Sequence, residues 1–205
     1  MVYFNLNHIS GLFIFLGLCC NKIDLLSLPN LFLPYSLTTT LCYLLGYACW
    51  FMATYYYPPY QIKPSTWLGF SHYRHQIQLA AAIGAFAVIV LSCSTAFLGF
   101  FVGLGALMIS NFLWLIAEQH KLQYLVNHTA LAKVYRQRWY VNYVACMAFY
   151  SVLRLISTVI AFFLPMFIAA TVYILVILFG IALALTTFNH LFNASLLKKP
   201  LNIII

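Results

Sequence analysis

From Ile77 to Ala117 the chain runs for 41 residues without a charged side chain, about twice the length a helix needs to cross a bilayer. Apolar runs of similar quality recur along the chain. The pattern predicts helical spans over 3–20, 32–56, 77–97, 98–117, 140–163 and 166–190. Ser92, Ser94, Thr95 and Gly99 mark a tight turn inside the long run, and Pro165 divides the last two spans. Unbroken apolarity without period-2 alternation predicts helices rather than a barrel. The expected fold class is therefore all-α: a polytopic transmembrane helix bundle of about six spans, one integral membrane domain over 1–205.

Between the fourth and fifth spans the pattern changes. In "EQHKLQYLVNHTALAKVYRQRWY" Leu122, Leu125, Val126, Leu131 and Val134 fall at helical spacing with basic residues between them. That is the signature of an amphipathic helix lying on the inner leaflet, and residues 118–139 are expected to form such a connector. It would rest on lipid or dock a cytosolic partner. The stretch "ATYYYPPYQIKPSTW" supplies an aromatic belt, Tyr55, Tyr56, Tyr57, Tyr60 and Trp67, on an extended proline-rich connector.

Composition agrees with this solvent. Hydrophobic residues make up 65% of the 205-residue chain and charged ones 6%, far below the roughly one quarter usual for a soluble domain. The net charge of +8 reflects ten Lys and Arg against Asp24 and Glu118 alone. In so apolar a chain the basic residues are expected to set topology and meet anionic headgroups, not nucleic acid. With six spans, Lys63, Arg74, Lys121, Lys133, Arg136, Arg138, Lys198 and Lys199 share one side, and Lys22 stands alone on the other. The eight-to-one bias puts both termini on the cytosolic side, of a bacterial inner membrane or an organellar one. The sequons at Asn127 and Asn193 would then face the cytosol and stay unmodified. The N-terminal run has no basic n-region and is expected to remain as a first span.

One charge interrupts a span. Arg154 lies in "FYSVLRLISTVIAFF", roughly 15 Å from the outer turn, where an unpaired charge costs about 2.5–3.5 kcal/mol. Helical spacing puts Ser151, Ser157 and Thr158 on its face, and Ser92 and Thr171 fall at comparable depth on neighbouring helices. This polar cluster would line a pathway, satisfy the arginine structurally, or meet another subunit. Glu118, about 20 Å away along the normal, is too far to be its counter-ion. Arg154-Leu155 in the hairpin 140–190 superficially resembles the lone arginine of subunit a of rotary ATP synthases, in its C-terminal two-helix hairpin. Ile156, Ser157 and Thr158 stand where that family places an asparagine, and the resemblance is not adopted.

Two further chemistries are weighed. His72 and His75 with Glu118 and His120 form a candidate inner-face metal set, although Arg74 between the two histidines disfavours a cation and the spacing matches no hydroxylase pattern. Cys19 and Cys20 are a candidate redox pair, against which stands the strain of a disulfide between adjacent residues. No cofactor is expected. Phosphate loops, GxSxG and paired carboxylates are absent from the chain, which disfavours an enzyme. The leading expectation is a protein that moves a small solute or ion with Arg154 in the pathway. A non-catalytic subunit of a larger membrane complex stands behind it, and a histidine-metal enzyme third.

Overall fold

The computed structural model describes residues 2–27, 35–55, 73–94, 97–128, 131–163, 171, 174–182 and 185–186. Five helices follow in order: α1 (Val2–Ser27), α2 (Leu37–Tyr55), α3 (Tyr73–Cys93), α4 (Phe97–His128) and α5 (Leu131–Phe163). Residues 174–182 are also helical, and no strand occurs among the described residues. Leu37–Thr54, Tyr73–Cys93, Leu98–Val126 and Lys133–Ile160 are each long and apolar enough to cross a membrane, and Ile9–Asn21 is a shorter apolar helix within α1. The protein is a helical membrane protein.

Packing between consecutive helices fixes an up-and-down arrangement. Ser10 Oγ donates to the Gly46 carbonyl (2.8 Å), joining α1 to α2. Across α2 and α3, Thr40 meets Ser92 at one end (2.6 Å) and Gln78 Nε2 donates to Thr54 Oγ1 at the other (3.0 Å). Across α3 and α4, Tyr73 pairs with Glu118 and Ser110 Oγ with the Ala80 carbonyl. Gln137 returns α5 to Glu118. With Gly17 against Tyr43 added for α1–α2 and Trp114 against Tyr140 for α4–α5, one residue number rises as the other falls in every pair, so neighbours are antiparallel. Leu18 with Met147, Tyr150 and Val176 closes the ring, bringing α1, α5 and the 174–182 helix together.

Small residues permit this closeness. A Cβ on Gly84 would come within 2.5 Å of the Tyr47 ring and 2.9 Å of Ser110 Oγ, so α2, α3 and α4 converge only because that position is bare. The outward faces stay apolar: Leu41, Leu45, Phe86, Ile89, Phe112 and Phe149 are all exposed. Against water each would forfeit on the order of 1.5–3 kcal/mol of burial, and against lipid nothing.

The segment 118–139 departs from expectation. It is helical but forms no separate surface helix. Its first part continues α4 to His128 and its second opens α5 at Leu131. These helices have 32 and 33 residues, about 48 Å each, and so outrun a hydrocarbon core of about 30 Å. The periodic apolar positions explain the difference. Leu125 and Val134 are buried inside the hairpin, so part of the stripe read as lipid-facing packs helix on helix. Helix α3 ends at Cys93 and α4 starts at Phe97, so the long uncharged run divides at the expected serines. Pro165 and most of the span expected over 166–190 lie outside the described residues.

Candidate functional site

Arg154 is only 6% exposed, and Nη1 donates a 2.9 Å hydrogen bond to the Tyr35 hydroxyl. The guanidinium carbon is 5.8 Å from the Tyr35 ring centroid. Since the bonded hydroxyl sits on the ring's edge, that distance reflects the hydrogen bond more than stacking on the face. Tyr35 is itself held in place. Ser36 caps α2, its Oγ accepting the Thr39 N–H at 3.2 Å, which fixes the chain as it enters the helix. The Tyr35 N–H reaches the Leu91 carbonyl (3.3 Å), and its ring stacks on Tyr43 with centroids 5.9 Å apart.

Behind this pair lies a cavity of about 40 Å³. By the space one water needs, about 10–15 Å³ on the same measure, it has room for about three. Its walls repeat at helical spacing on three elements: Tyr43, Tyr47 and Trp50 from α2, then Leu107, Asn111 and Trp114 from α4. Met147, Tyr150, Ser151 and Arg154 come from α5, and Ile14, Leu18 and Val88 fill the remaining sides. Each seven-residue repeat covers about 10 Å of axis, so the space extends over about two helical turns. Its far end is an aromatic cluster. Trp114 makes edge contacts with Trp50 (5.0 Å), Tyr140 (6.0 Å) and Tyr143 (6.3 Å).

The hydroxyls expected around Arg154 have particular duties. Ser157 and Thr158 donate back to the Arg154 carbonyl at 3.0 and 2.8 Å, and Ser151 donates to Ala148 at 2.6 Å. Such back-bonding satisfies a serine or threonine inside an apolar helix. Of the three, Ser151 lines the cavity. Ser92 donates to Val88 and joins Thr40, tying α3 to α2. Thr171 is exposed. The hydroxyl that meets the guanidinium comes from Tyr35 instead. Sequence reasoning also missed Tyr43, Tyr47, Trp50, Asn111 and Trp114. The i, i+4, i+7 aromatic repeat of α2 and the amide inside the uncharged run were signals available for them.

One buried donor on the wall is unsatisfied: among the described residues Trp114 Nε1–H has no hydrogen-bond partner. Such orphans are uncommon in folded proteins, because each forfeits the hydrogen bonds it made to water.

Of the inner-face set, the described members His75, Glu118 and His120 do not come together as a metal site. His72 lies outside the described residues, and His75 is exposed. His120 Nδ1 sits 3.3 Å from Gln76 Oε1. The Glu118 carboxylate, 3% exposed, accepts from the Tyr73 hydroxyl on Oε1 and from Gln137 Nε2 on Oε2, both at 2.7 Å. Lys121 Nζ stands 3.7 Å from Oε2. Both oxygens therefore serve helix packing. Among the described residues no three His, Cys, Asp or Glu side chains come together as a metal site. Cys19 and Cys20 are half-buried in α1 and are not joined in a disulfide. No protein-family model, curated protein or solved structure matches this chain.

Proposed function

We propose that this protein carries a small solute or ion across the membrane through the space beside Arg154. The observation that carries the reading is a buried guanidinium on the wall of a cavity shared by all five helices. A charge at that depth is costly, and chains keep one where it serves ions or solutes moving through the bundle. Tyr35 with Arg154 lies toward one end of the space and the Trp50–Trp114–Tyr140–Tyr143 cluster toward the other, where a carrier working by alternating access would place its gates. We place six spans in the membrane, both termini on the cytosolic side, in a bacterial inner or organellar membrane. On this reading Lys133, Tyr135, Arg138 and Trp139, exposed on α5, meet anionic headgroups or a cytosolic partner.

Thiol labelling tests it. In a chain freed of its six cysteines, Ser151→Cys and Asn111→Cys are exposed to a small charged methanethiosulfonate from each side of native membranes. Both positions are expected to react. Ile156→Cys, on the outward face of the same helix (Ile156 is 47% exposed), is expected to stay protected by lipid. Protection of all three would mean a dry core, and the protein would then be read as a structural subunit of a larger complex.

A further inference from the structure

The outward face of α5 changes character partway along the helix. Tyr135, Arg138, Trp139 and Asn142 stand at i, i+3, i+4 and i+7, and all four are exposed. Each carries a donor: a phenol, a guanidinium, an indole and an amide. Farther along the same face the exposed residues are Cys146, Phe149, Ile156 and Phe163, all apolar. Length sets the depth. The rise of a helix places Asn142 and Phe163 about 32 Å apart, which matches a hydrocarbon core of about 30 Å. When the apolar stripe fills that core, the four donors sit at headgroup level, Asn142 deepest and Tyr135 nearest to water.

The two arginines of this helix are used differently. Arg154 turns inward and is buried against Tyr35, whereas Arg138 turns outward. Glu118, the acid at this end of the bundle, is buried and already held by Tyr73 and Gln137, with Lys121 beside it. A guanidinium facing lipid calls for an anion from its surroundings, and at headgroup depth that anion is a phosphate diester. The planar fork suits two phosphate oxygens at once. Asn142, about 6 Å deeper, is level with the acyl ester carbonyls, and the rings of Tyr135 and Trp139 suit the interface on either side.

We propose that Tyr135, Arg138, Trp139 and Asn142 form a binding site for one anionic phospholipid, its phosphate on Arg138 and its acyl chains along Cys146 and Phe149. Zwitterionic lipids carry the same phosphate, but their own ammonium competes with the guanidinium for it. The site narrows the contact proposed above for this end of α5 to a lipid. It rests on that headgroup reading and not on transport.

Native mass spectrometry of the full chain tests it, with titration of phosphatidylglycerol or phosphatidylcholine of identical acyl chains. The first phosphatidylglycerol is expected to bind at least about fivefold tighter than phosphatidylcholine, the worth of one basic contact with an anionic lipid. Arg138→Gln is expected to erase that preference. Asn142→Leu should weaken phosphatidylglycerol about threefold, as the loss of one neutral hydrogen bond does. Lys133 is also exposed but stands two residues before Tyr135, so it projects from another side of the helix. Lys133→Gln removes the same charge from the same end and is expected to leave the preference within about twofold. Because these three side chains are exposed, none of the substitutions disturbs the packed core. Equal losses in Arg138→Gln and Lys133→Gln would reveal a diffuse basic rim: the headgroup reading would stand and the site would fall. No preference for phosphatidylglycerol in the unmodified chain would overturn both and leave this face to a protein partner. Neither result depends on Ser151→Cys, whose labelling reads the transport pathway alone.

Discussion

Tyr35 and Arg154 are 119 positions apart, yet one 2.9 Å hydrogen bond joins them inside the bundle. Removing the hydroxyl isolates its worth. Tyr35→Phe keeps the ring on Tyr43 and deprives the guanidinium of an acceptor in a place with little water. A loss of about 1–2 kcal/mol in unfolding free energy is expected, the range for a polar contact within a membrane bundle. Denaturant titration in mixed micelles reads it, and an unchanged midpoint would mean that cavity water replaces the hydroxyl at no cost. At this scale the sequence was half legible. A lone arginine in an apolar run must be buried among protein or water, and that inference needs only solvation. Its partner was not legible, because helical spacing orders residues on one helix and is silent about which helix lies opposite. Ser92 and Thr171 were chosen on depth alone, whereas Tyr35 is delivered by the α2 cap and the Leu91 carbonyl.

The carboxylate of Glu118 shows what an element-scale reading misses. Read as a stretch of sequence, 118–139 is amphipathic and suits a membrane surface. A helical hairpin satisfies the same pattern, because an apolar stripe can pack on its neighbour as readily as on lipid. Two observations separate the cases: burial of Leu125 and Val134, and a carboxylate shared among α3, α4 and α5. This hub should be polarity-sensitive and exchangeable. Glu118→Gln can still accept from Tyr73 through its amide oxygen, but its NH2 then faces Gln137, which must turn its amide to accept and so gives up its own N–H bonds to residue 118. A loss of about 1–2 kcal/mol is expected, since two charge-assisted hydrogen bonds become neutral ones and Lys121 loses its counter-charge. Adding Gln137→Glu restores complementarity with the roles reversed, and the double variant should recover at least half of the loss. Full additivity of the two single losses, measured by the same unfolding titration, would show that the pair is not a coupled unit.

For the molecule as a whole, the proposed orientation turns on where the basic residues lie along the bundle. Arg74 near the start of α3, Lys121 near the end of α4, and Lys133 with Arg138 near the start of α5 all belong to the end of the bundle that Glu118 ties together. The opposite end, where α3 passes into α4 at Cys93 and Ser94, has Lys22 near the end of α1 as its one basic residue among the described positions. The sidedness proposed above is the reading least sensitive to boundary errors, because it depends on the Lys and Arg of short loops and survives shifts of several residues in helix ends. The number of crossings is more sensitive to them. Among the described residues four helices meet the length and apolarity a crossing needs, while α1 offers the shorter Ile9–Asn21 and the span expected over 166–190 is described only in part. Single cysteines in the cysteine-free chain resolve both questions. Lys133→Cys should react with a membrane-impermeant maleimide only from the cytosolic face, and Ser94→Cys only from the other. A cysteine appended after Ile205 then counts the crossings that follow α5. Labelling on the Lys133 side means that the chain crosses once more after α5, as six spans require. Labelling on the Ser94 side would leave α5 as the last crossing and place the C-terminal Lys198 and Lys199 outside, against the charge bias that orients every other segment.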